Sequence, residues 1–273
     1  MIQNHCVSIK QATVLFFSSF LLAACGEPQP RTSVREKGRL TVVMDEPLPG
    51  YFVFGGESYG YQYDLFKAFA DHLGVELQVV RSERPSEYDA MLADGRADIV
   101  TALSDHAAEI ASASAIPIYH TSYVLLAGKR KADEIRKKKR FELIPCIREG
   151  KVLISSGFKS TRAYSMLLDS LSRTAEVYVS SRNSFELIGA LGDGRYDYLI
   201  CEMSEAQLGC AFQKNVAQIY RFAEPVALSA VVSPQDTSLR SDFEAWLSHF
   251  RNSGEYAMLN YLYFEKGIVR QML

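Results

Sequence analysis

The sequence contains one short pattern twice, at the same step of two successive runs of predicted strands and helices. The pattern is Asp-Gly-Arg-x-Asp, at residues 94–98 and again at residues 193–197. In both places a helical pattern ends at the glycine and an apolar, strand-like run follows. Glycine is favoured at such a helix end because the left-handed conformation there penalises a β-carbon. The repeated pattern indicates two units of similar design.

The first unit alternates strand and helix signals. Short apolar runs rich in β-branched residues predict strands at residues 40–44, 75–80 and 98–103. Helices are predicted at residues 64–73, before Gly74, and from a cap at Ser86 to about residue 93, before Gly95. This β-α-β-α-β order is typical of a mostly parallel sheet with helices on its faces.

The second unit repeats that order. Strands are predicted at residues 151–155, 175–179 and 196–202. Ser160 or Thr161 can cap a helix that runs through residue 171, and Ser184 can cap the next helix. The similarity of the two series predicts two α/β lobes.

Two further apolar runs, at residues 122–128 and 226–233, are interpreted as strands that cross between the lobes. The chain would pass to the second lobe and return, so that predicted helices at residues 239–250 and 255–264 pack on the first. The predicted fold class is therefore α/β, with two mixed, mostly parallel sheets joined by two hinge strands. The expected boundaries are residues 38–125 with 226–273 for lobe 1, and residues 126–225 for lobe 2.

The N-terminus has the pattern of a secretory signal. Lys10 precedes an uncharged, apolar run at residues 12–24, which is shorter than the roughly 20 residues that a spanning helix needs. The alternative is a buried core helix. The run ends in Leu-Ala-Ala-Cys-Gly at residues 22–26, which resembles the bacterial lipobox. We therefore expect a lipoprotein signal peptide at residues 1–24, acylation of Cys25 (palmitate or a similar chain), and a flexible tether at residues 25–37.

These features predict a protein of the bacterial cell envelope that is lipid-anchored and faces the periplasm. Gly26 gives no inner-membrane retention signal, which favours the outer membrane. The net charge of −2 gives no reason to expect a nucleic-acid partner, and a monomer is expected. Besides Cys25, three cysteines follow the signal, so one disulfide with one free thiol is an open alternative; they are Cys146, Cys201 and Cys210. Without a C-x-x-C pair, no metal site or cofactor is expected.

Candidate ligand-binding residues lie at strand ends and in one aromatic loop. The turn after residues 151–155 offers backbone N–H groups and a lysine to an anion, through Gly157, Lys159, Ser160 and Thr161. Glu202, at another strand end, can accept a cation or a hydroxyl. The alternatives are an ordinary helix start and a surface carboxylate.

The same reasoning applies to the first lobe. Tyr51, Phe52 and Tyr61 offer ring faces for stacking, or else pack their loop onto the lobe. Ser104 follows a strand, where open α/β sheets place ligands, or else is a simple turn residue.

Several segments together resemble the family 3 extracellular solute-binding proteins, and in particular the binding domain of membrane-bound lytic transglycosylase F. They are GRLTV at residues 38–42, GYQYDL at 60–65, LGVEL at 73–77, MLADGRAD at 91–98, Pro117 with Tyr119, residues 197–202, Trp246 with Leu247, Gly254, and YFEKG at 263–267. The resemblance covers about residues 38–268. It implies a two-lobed periplasmic binding protein type 2 fold that takes amino acids or similar small polar solutes, often for an ABC importer.

Two departures from the family pattern bear on the ligand. The family usually carries an arginine for the ligand carboxylate soon after the strand at residues 98–103, whereas residues 104–109 here read SDHAAE. Glu202 corresponds to the family's acidic residue for the ligand ammonium, with one extra methylene. A standard α-amino acid is therefore not the expected ligand.

The expected function is capture of a small polar ligand, amino-acid-like, peptide or cell-wall fragment, in an interlobe cleft for transport or sensing. The expected partners are that ligand, the membrane through Cys25, and an ABC permease or the cell-wall machinery. The sequence lacks H-E-x-x-H and P-loop motifs, and no lytic domain is expected before Leu273, so we expect no catalysis. The alternative is a small-molecule lyase, or a cell-wall-modifying enzyme or regulator, on the same fold.

Overall fold

The computed structural model describes residues 32–44, 50–82, 84–103, 110, 115–138, 142–148, 150–171, 173–182 and 184–265. The predicted signal peptide, Cys25 and Ser104 lie outside these residues. The described residues lie in one compact unit. Within the described part, no helix has the length and apolar character needed to cross a bilayer.

Ten strands are present among the described residues. They are β1 Arg39–Met44, β2 Phe52–Phe54, β3 Glu57–Tyr59, β4 Glu76–Arg81, β5 Ile99–Leu103, β6 Ile116–Gly128, β7 Lys151–Ser155, β8 Glu176–Ser180, β9 Tyr198–Glu202 and β10 Val216–Val232.

The described α-helices follow the expected alternation. They are α1 Val34–Lys37, α2 Tyr61–Leu73, α3 Tyr88–Asp94, α4 Lys129–Arg136, α5 Leu143–Ile147, α6 Arg162–Leu171, α7 Ser184–Gly192, α8 Met203–Phe212, α9 Thr237–Phe250 and α10 Gly254–Asn260. Short 3-10 turns span Pro85–Glu87 and Ser156–Ser160, and a π-helical turn spans Tyr261–Glu265.

Eight strands form one sheet in the order β4-β1-β5-β10-β6-β9-β7-β8, and β2 pairs with β3 separately. We call β4-β1-β5 with its helices the first half, and β9-β7-β8 with its helices the second half. Within each half the strands are parallel, and β6 and β10 join the halves by antiparallel pairing. The α/β, two-lobed prediction is confirmed, but the expected pair of sheets is one continuous sheet.

The sheet is continuous because the two crossing strands are longer than their apolar runs. β6 and β10 pair along most of their lengths, from Val216 opposite Gly128 to Ala230 opposite Ile116. The register shifts between Arg221 and Pro225, close to the point where the strands pass between the halves. Such irregularities bend and twist a strand locally.

Each half buries apolar side chains on both faces of its sheet. In the first half, Val42 packs with α2 and α9, whereas the neighbouring Val43 packs with α3 on the other face. In the second half, Ile154 and Leu153 divide in the same way between two clusters. This alternation follows from the two-residue period of a strand, and it shows why buried strands here read as continuous apolar runs.

The repeated Asp-Gly-Arg-x-Asp pattern forms the same junction in both halves. Gly95 and Gly194 adopt left-handed conformations, with φ of 79° and 76°. The last aspartate of each copy then exchanges hydrogen bonds with the neighbouring first strand of its half. Asp98 accepts from the Thr41 N–H at 2.7 Å, and Asp197 accepts from the Lys151 N–H at 2.8 Å.

Two local predictions are wrong. The tether was expected to reach residue 37, but Ser33 and Glu36 form a capping box on α1 and Val34 is buried. Arg35 also donates to the Leu73 carbonyl at 3.2 Å, so this segment belongs to the packed fold. Ser86 lies inside a 3-10 turn and does not cap α3, whose N-cap is Glu87.

Other local predictions hold. The Thr161 hydroxyl accepts from the Tyr164 N–H at 3.1 Å and so caps α6. The thiols of Cys146, Cys201 and Cys210 are free, so the disulfide alternative is not realised in this structure.

Candidate functional site

Carboxyl ends of strands from both halves meet beside the crossing strands. β5 ends at Leu103, β9 ends at Glu202, and β7 leads into the turn Ser156–Ser160. Because β5 and β9 flank the pair β10-β6, these ends lie on either side of the hinge. We call this region the junction. Ligands of open α/β sheets bind at such strand ends.

Glu202 is the most constrained polar group of the junction. Its side chain is buried and accepts hydrogen bonds on both oxygens. Oε2 accepts from the Ser204 N–H at 2.8 Å, from the Ser204 hydroxyl and from the Glu205 N–H at 3.2 Å, so Glu202 caps α8. Oε1 accepts from the hydroxyl of Thr121, which lies on the crossing strand β6. Glu202 therefore ties the second half to the hinge.

The ionisation of Glu202 reflects two opposing effects. Burial raises the pKa of its carboxyl, and the hydrogen bonds from Ser204 and Glu205 oppose that rise without cancelling it. The nearby Tyr119 responds to the same charge. Burial and then the negative charge of Glu202 raise the pKa of Tyr119 to about 12.

The hydroxyl side of the junction is formed by alternate residues of β6: Tyr119, Thr121 and Tyr123. Thr121 bonds to both Tyr119 and Glu202, while Tyr123 lies directly opposite Glu202 in the ladder. Alternate residues of a strand face the same side, which brings these groups together. Sequence reasoning missed all three. The period-two spacing of hydroxyl-bearing residues within an apolar strand was the signal available for finding them.

Tyr61 is part of the core of the first half and does not offer a ring face to the junction. Only 1% of its surface is exposed, and its hydroxyl donates to the Ile118 carbonyl at 3.3 Å. Its ring contacts Tyr119 and Phe264 at centroid distances of 5.4 and 4.9 Å. In this structure Tyr61 does not present its ring for stacking, because α2 carries the side chain inward from its first turn.

Tyr51 and Phe52 pack against their own loop and against the rest of the first half. Tyr51 is buried, its hydroxyl lies 3.2 Å from Ser58 Oγ, and the Arg81 guanidinium lies over its ring. Phe52 stacks on Tyr59 across the small hairpin, at 5.8 Å. The loop-packing alternative therefore describes both residues.

The turn after β7 approaches the hydroxyl face of the junction through Gly157. A β-carbon built at Gly157 would lie 2.5 Å from the Tyr123 hydroxyl and 3.7 Å from Leu103 Cδ1. Lys159 is exposed, and Thr161 is buried as the helix cap, with its hydroxyl donating to the Phe158 carbonyl at 2.8 Å. Ser160 lies in the 3-10 turn, and Ser104 lies outside the described residues. The predicted Gly157 and Glu202 are thus brought to the same junction.

The junction contains a buried carboxylate, three hydroxyl-bearing side chains and a turn that can approach them. This set can orient a polar molecule by hydrogen bonds. Among the described residues, no group of three or more histidine, cysteine or acidic side chains is arranged to hold a metal ion.

The fold defines a class of protein: two α/β halves share a sheet, are joined by two crossing strands and present strand ends to one junction. Comparison with known proteins agrees with that class. Residues 40–266 match the bacterial extracellular solute-binding proteins, family 3. The chain belongs to this family.

Curated relatives similar in sequence carry the name membrane-bound lytic murein transglycosylase F. The protein from Idiomarina loihiensis is 24% identical over 263 residues, which cover 94% of this chain and 56% of that protein. The protein from Pasteurella multocida is 25% identical over 224 residues, covering 81% of this chain and 44% of that protein. The chain thus spans about half the length of these curated relatives.

Solved structures with the same fold include amino-acid-binding proteins. The substrate-binding protein AbpA of Streptococcus pneumoniae, bound to L-arginine, has a TM-score of 0.67 at 20% identity and covers 88% of this chain and 98% of that one. The L-cysteine solute receptor of Neisseria gonorrhoeae has a TM-score of 0.67 at 14% identity and covers 87% and 94%. These similarities establish the two-lobed periplasmic-binding-protein fold.

Proposed function

We propose that this chain captures a small polar ligand between its two halves and does not transform it. The observation that carries the proposal is the junction, where strand ends of both halves meet beside two crossing strands. Halves joined in this way can close on a ligand by bending at the hinge, which buries the ligand and completes its polar contacts.

The ligand we propose is amino-acid-like, a short peptide or a cell-wall fragment. Arginine-bound and cysteine-receptor structures share the fold, which favours the first class. Residues 104–109 contain no arginine to pair with a carboxylate, and relatives named for murein lysis favour the other two. We propose that Gly157, Lys159, Ser160 and Thr161 supply contacts from the second half, and Ser104 from the first.

We also propose that the protein is delivered to the bacterial envelope by residues 1–24 and anchored through acylated Cys25, facing the periplasm and favouring the outer membrane. A monomer would pass its ligand to a permease or report it to the cell-wall machinery. We assign the lobes to residues 38–125 with 226–273 and to residues 126–225. The N-terminal Leu-Ala-Ala-Cys-Gly segment and the family's extracellular character support the anchor and the envelope location.

A thermal-shift screen on the chain from Gly26 onward tests ligand capture. The panel contains L-arginine, L-cysteine, L-glutamine, a dipeptide series and purified muropeptides. A compound at 100 times its dissociation constant stabilises the folded chain by about 2.7 kcal/mol. Lys159→Ala is expected to reduce that shift for an anionic compound, whereas the exposed Lys214→Ala is its matched control.

The screen can also contradict the proposal. Absence of any shift across the panel would remove these ligand classes. A compound that binds and is converted, detected by product analysis, would favour the enzyme alternative, a lyase or a cell-wall-modifying activity on this fold.

A further inference from the structure

Gly157 lies in a crowded place, where a side chain would collide with its surroundings. Its backbone is outside the left-handed region, so its conformation is open to other residues. The need for glycine is instead steric. A β-carbon would lie 2.5 Å from the Tyr123 hydroxyl, closer than real β-carbons approach other atoms.

The Tyr123 hydroxyl has little freedom to move away within the second half. The side chain is almost fully buried, and its ring meets Phe158 edge to face at 5.1 Å. Phe158 is in turn fully buried against Phe222, at 4.9 Å. Interiors packed in this way resist a change of even one methylene, so the displacement has to go toward the junction.

Leu103 of the first half occupies that side of the junction. Its Cδ1 lies 3.7 Å from the same β-carbon position, although Leu103 ends β5 and Gly157 belongs to the second half. A side chain at position 157 would therefore come within van der Waals range of the first half. A methyl group at position 157 would occupy part of the space between Gly157 and Leu103. It would also displace the Tyr123 hydroxyl toward that same space.

We propose that Gly157 sets the closest approach of the two halves, and that a side chain at this position holds the junction partly open. The proposal rests on the proposed function, because closure over a ligand is what the close approach serves. Gly157 is then a positioning residue that allows the halves to approach each other. The Tyr123 hydroxyl is the group that a side chain at position 157 would displace.

The test measures the distance between the halves without any ligand. Spin labels are attached through a ketone-bearing amino acid at Asp71 of α2 and Met166 of α6, both exposed, and read by double electron–electron resonance. We expect Gly157→Ala to lose the shortest-distance component of the wild-type distribution. The double variant Gly157→Ala, Tyr123→Phe removes the obstructing oxygen and should restore that component.

Two controls keep the result specific. Gly128→Ala is a matched change, because a β-carbon there has no neighbour within 4 Å and the backbone is not left-handed, so its distribution should equal the wild type. Tyr123→Phe alone accounts for any bond that the hydroxyl makes. Leu103→Phe narrows the same space from the first half, and it should lengthen the distance even if Gly157→Ala fails to fold.

Unchanged distances in both Gly157→Ala and Leu103→Phe would overturn the proposal, as would a lengthening that Tyr123→Phe fails to reverse. Because no ligand is present, this outcome is independent of the screen: the panel can fail while the distances change as expected, and the reverse also holds.

Discussion

The first and second halves share the same strand order and the same aspartate contacts, but they bury those aspartates to different degrees. In each half, the strand that comes first in the sequence lies in the middle, the second lies at the outer edge, and the third lies beside the pair β10-β6. Asp98 and Asp197 occupy equivalent places, each bonded to the backbone of its first strand and to a lysine. However, the Asp98 side chain is only 4% exposed and that of Asp197 is 39% exposed. The same hydrogen-bonding arrangement is therefore expected to contribute more to the free energy of unfolding at Asp98 than at Asp197.

The lysines also come from different elements. Lys37 of α1 reaches Asp98 from the segment before β1, whereas Lys131 of α4 reaches Asp197 from the segment after β6. Partial burial alone would raise the pKa of the Asp197 carboxyl, but the bonds from Lys131 and the Lys151 N–H outweigh it and lower the pKa. Both aspartates accept a hydrogen bond from the backbone of the first strand of their half. The lysine that pairs with each aspartate comes from a different element in each half.

A second difference lies five residues further along each third strand. The first half ends its strand with Leu103 and the second half with Glu202, at equivalent distances from Asp98 and Asp197. The charged group thus belongs to the second half, whereas the corresponding position of the first half is apolar. The two halves therefore share their strand order but differ in the residues that they place at the junction.

The largest effect is expected from the buried aspartate. Asp98→Ala leaves the Thr41 N–H and Lys37 without their acceptor in a buried site, and should lower the free energy of unfolding by about 3 kcal/mol. Asp197→Ala should lower it by about 1 kcal/mol, because water can replace the lost acceptor. Urea unfolding of both variants measures the difference, and equal losses would show that burial does not separate the halves.

The next effect concerns the junction carboxylate. Thr121→Val removes the donor to buried Glu202 and should cost about 2 kcal/mol. Thr121→Ser keeps the donor and should recover most of the loss. A full loss in the serine variant would assign the effect to packing instead. The equivalent position of the first half is Leu103, whose side chain cannot accept such a bond.

Glu202 also predicts a pH dependence. Burial raises its folded pKa above the ordinary value of 4.5, so its contribution to stability is fully present below that value and is lost as pH rises through the folded pKa. Glu202→Gln keeps the shape and removes the titration. The stability of the wild type relative to this variant should therefore fall as the pH rises above about 4.5, measured by urea unfolding at stepped pH. A flat difference would contradict it.

Smaller and equal effects are expected from the two helix ends. Gly95→Ala and Gly194→Ala each force an alanine into the left-handed region, which costs roughly 1 kcal/mol. A β-carbon at Gly194 has no neighbour within 4 Å, so strain in the backbone is the main term there. Paired thermal unfolding curves check the equality. A clearly larger loss at Gly95 would mean that the first half resists this strain differently.

The smallest effect is expected from the exposed ion pairs within the repeated pattern. Arg96 and Arg195 each lie 3.3 Å from the aspartate two residues before them, and both pairs are exposed. Arg96→Gln and Arg195→Gln should each change stability by less than about 0.5 kcal/mol. A loss above that in either variant, measured in the same unfolding series, would reveal a role beyond the surface pair.

The order of strands and helices could be predicted from the sequence because the patterns that indicate them are local. Apolar runs, helical spacing and glycine stops located the six parallel strands and the helices α2, α3, α6 and α7 to within a few residues, but α5 and α8 were not predicted. The crossing strands were underestimated, since polar residues such as Thr121 and Arg221 interrupt their apolar pattern. Their strand conformation is stabilised by pairing with a partner distant in sequence.

The junction was only partly predictable for a related reason. Glu202 and Gly157 stand at strand ends that topology brings together, and topology could be inferred from the order of elements. Tyr61 was assigned to the site because its loop context does not reveal which way the ring points. The inward direction depends on Phe264, which is distant in sequence, and on the packing of the C-terminal helices.

The return of the chain through β10 has a consequence for folding during synthesis. β10 borders β5, and residues from Ala230 to Tyr263 complete the apolar cluster over β1 and α2. The ribosome makes β1 and α2 early, but their covering side chains emerge only after the whole second half has been translated. The earliest segment of the fold is therefore the last to be enclosed, and it needs protection from aggregation in the meantime.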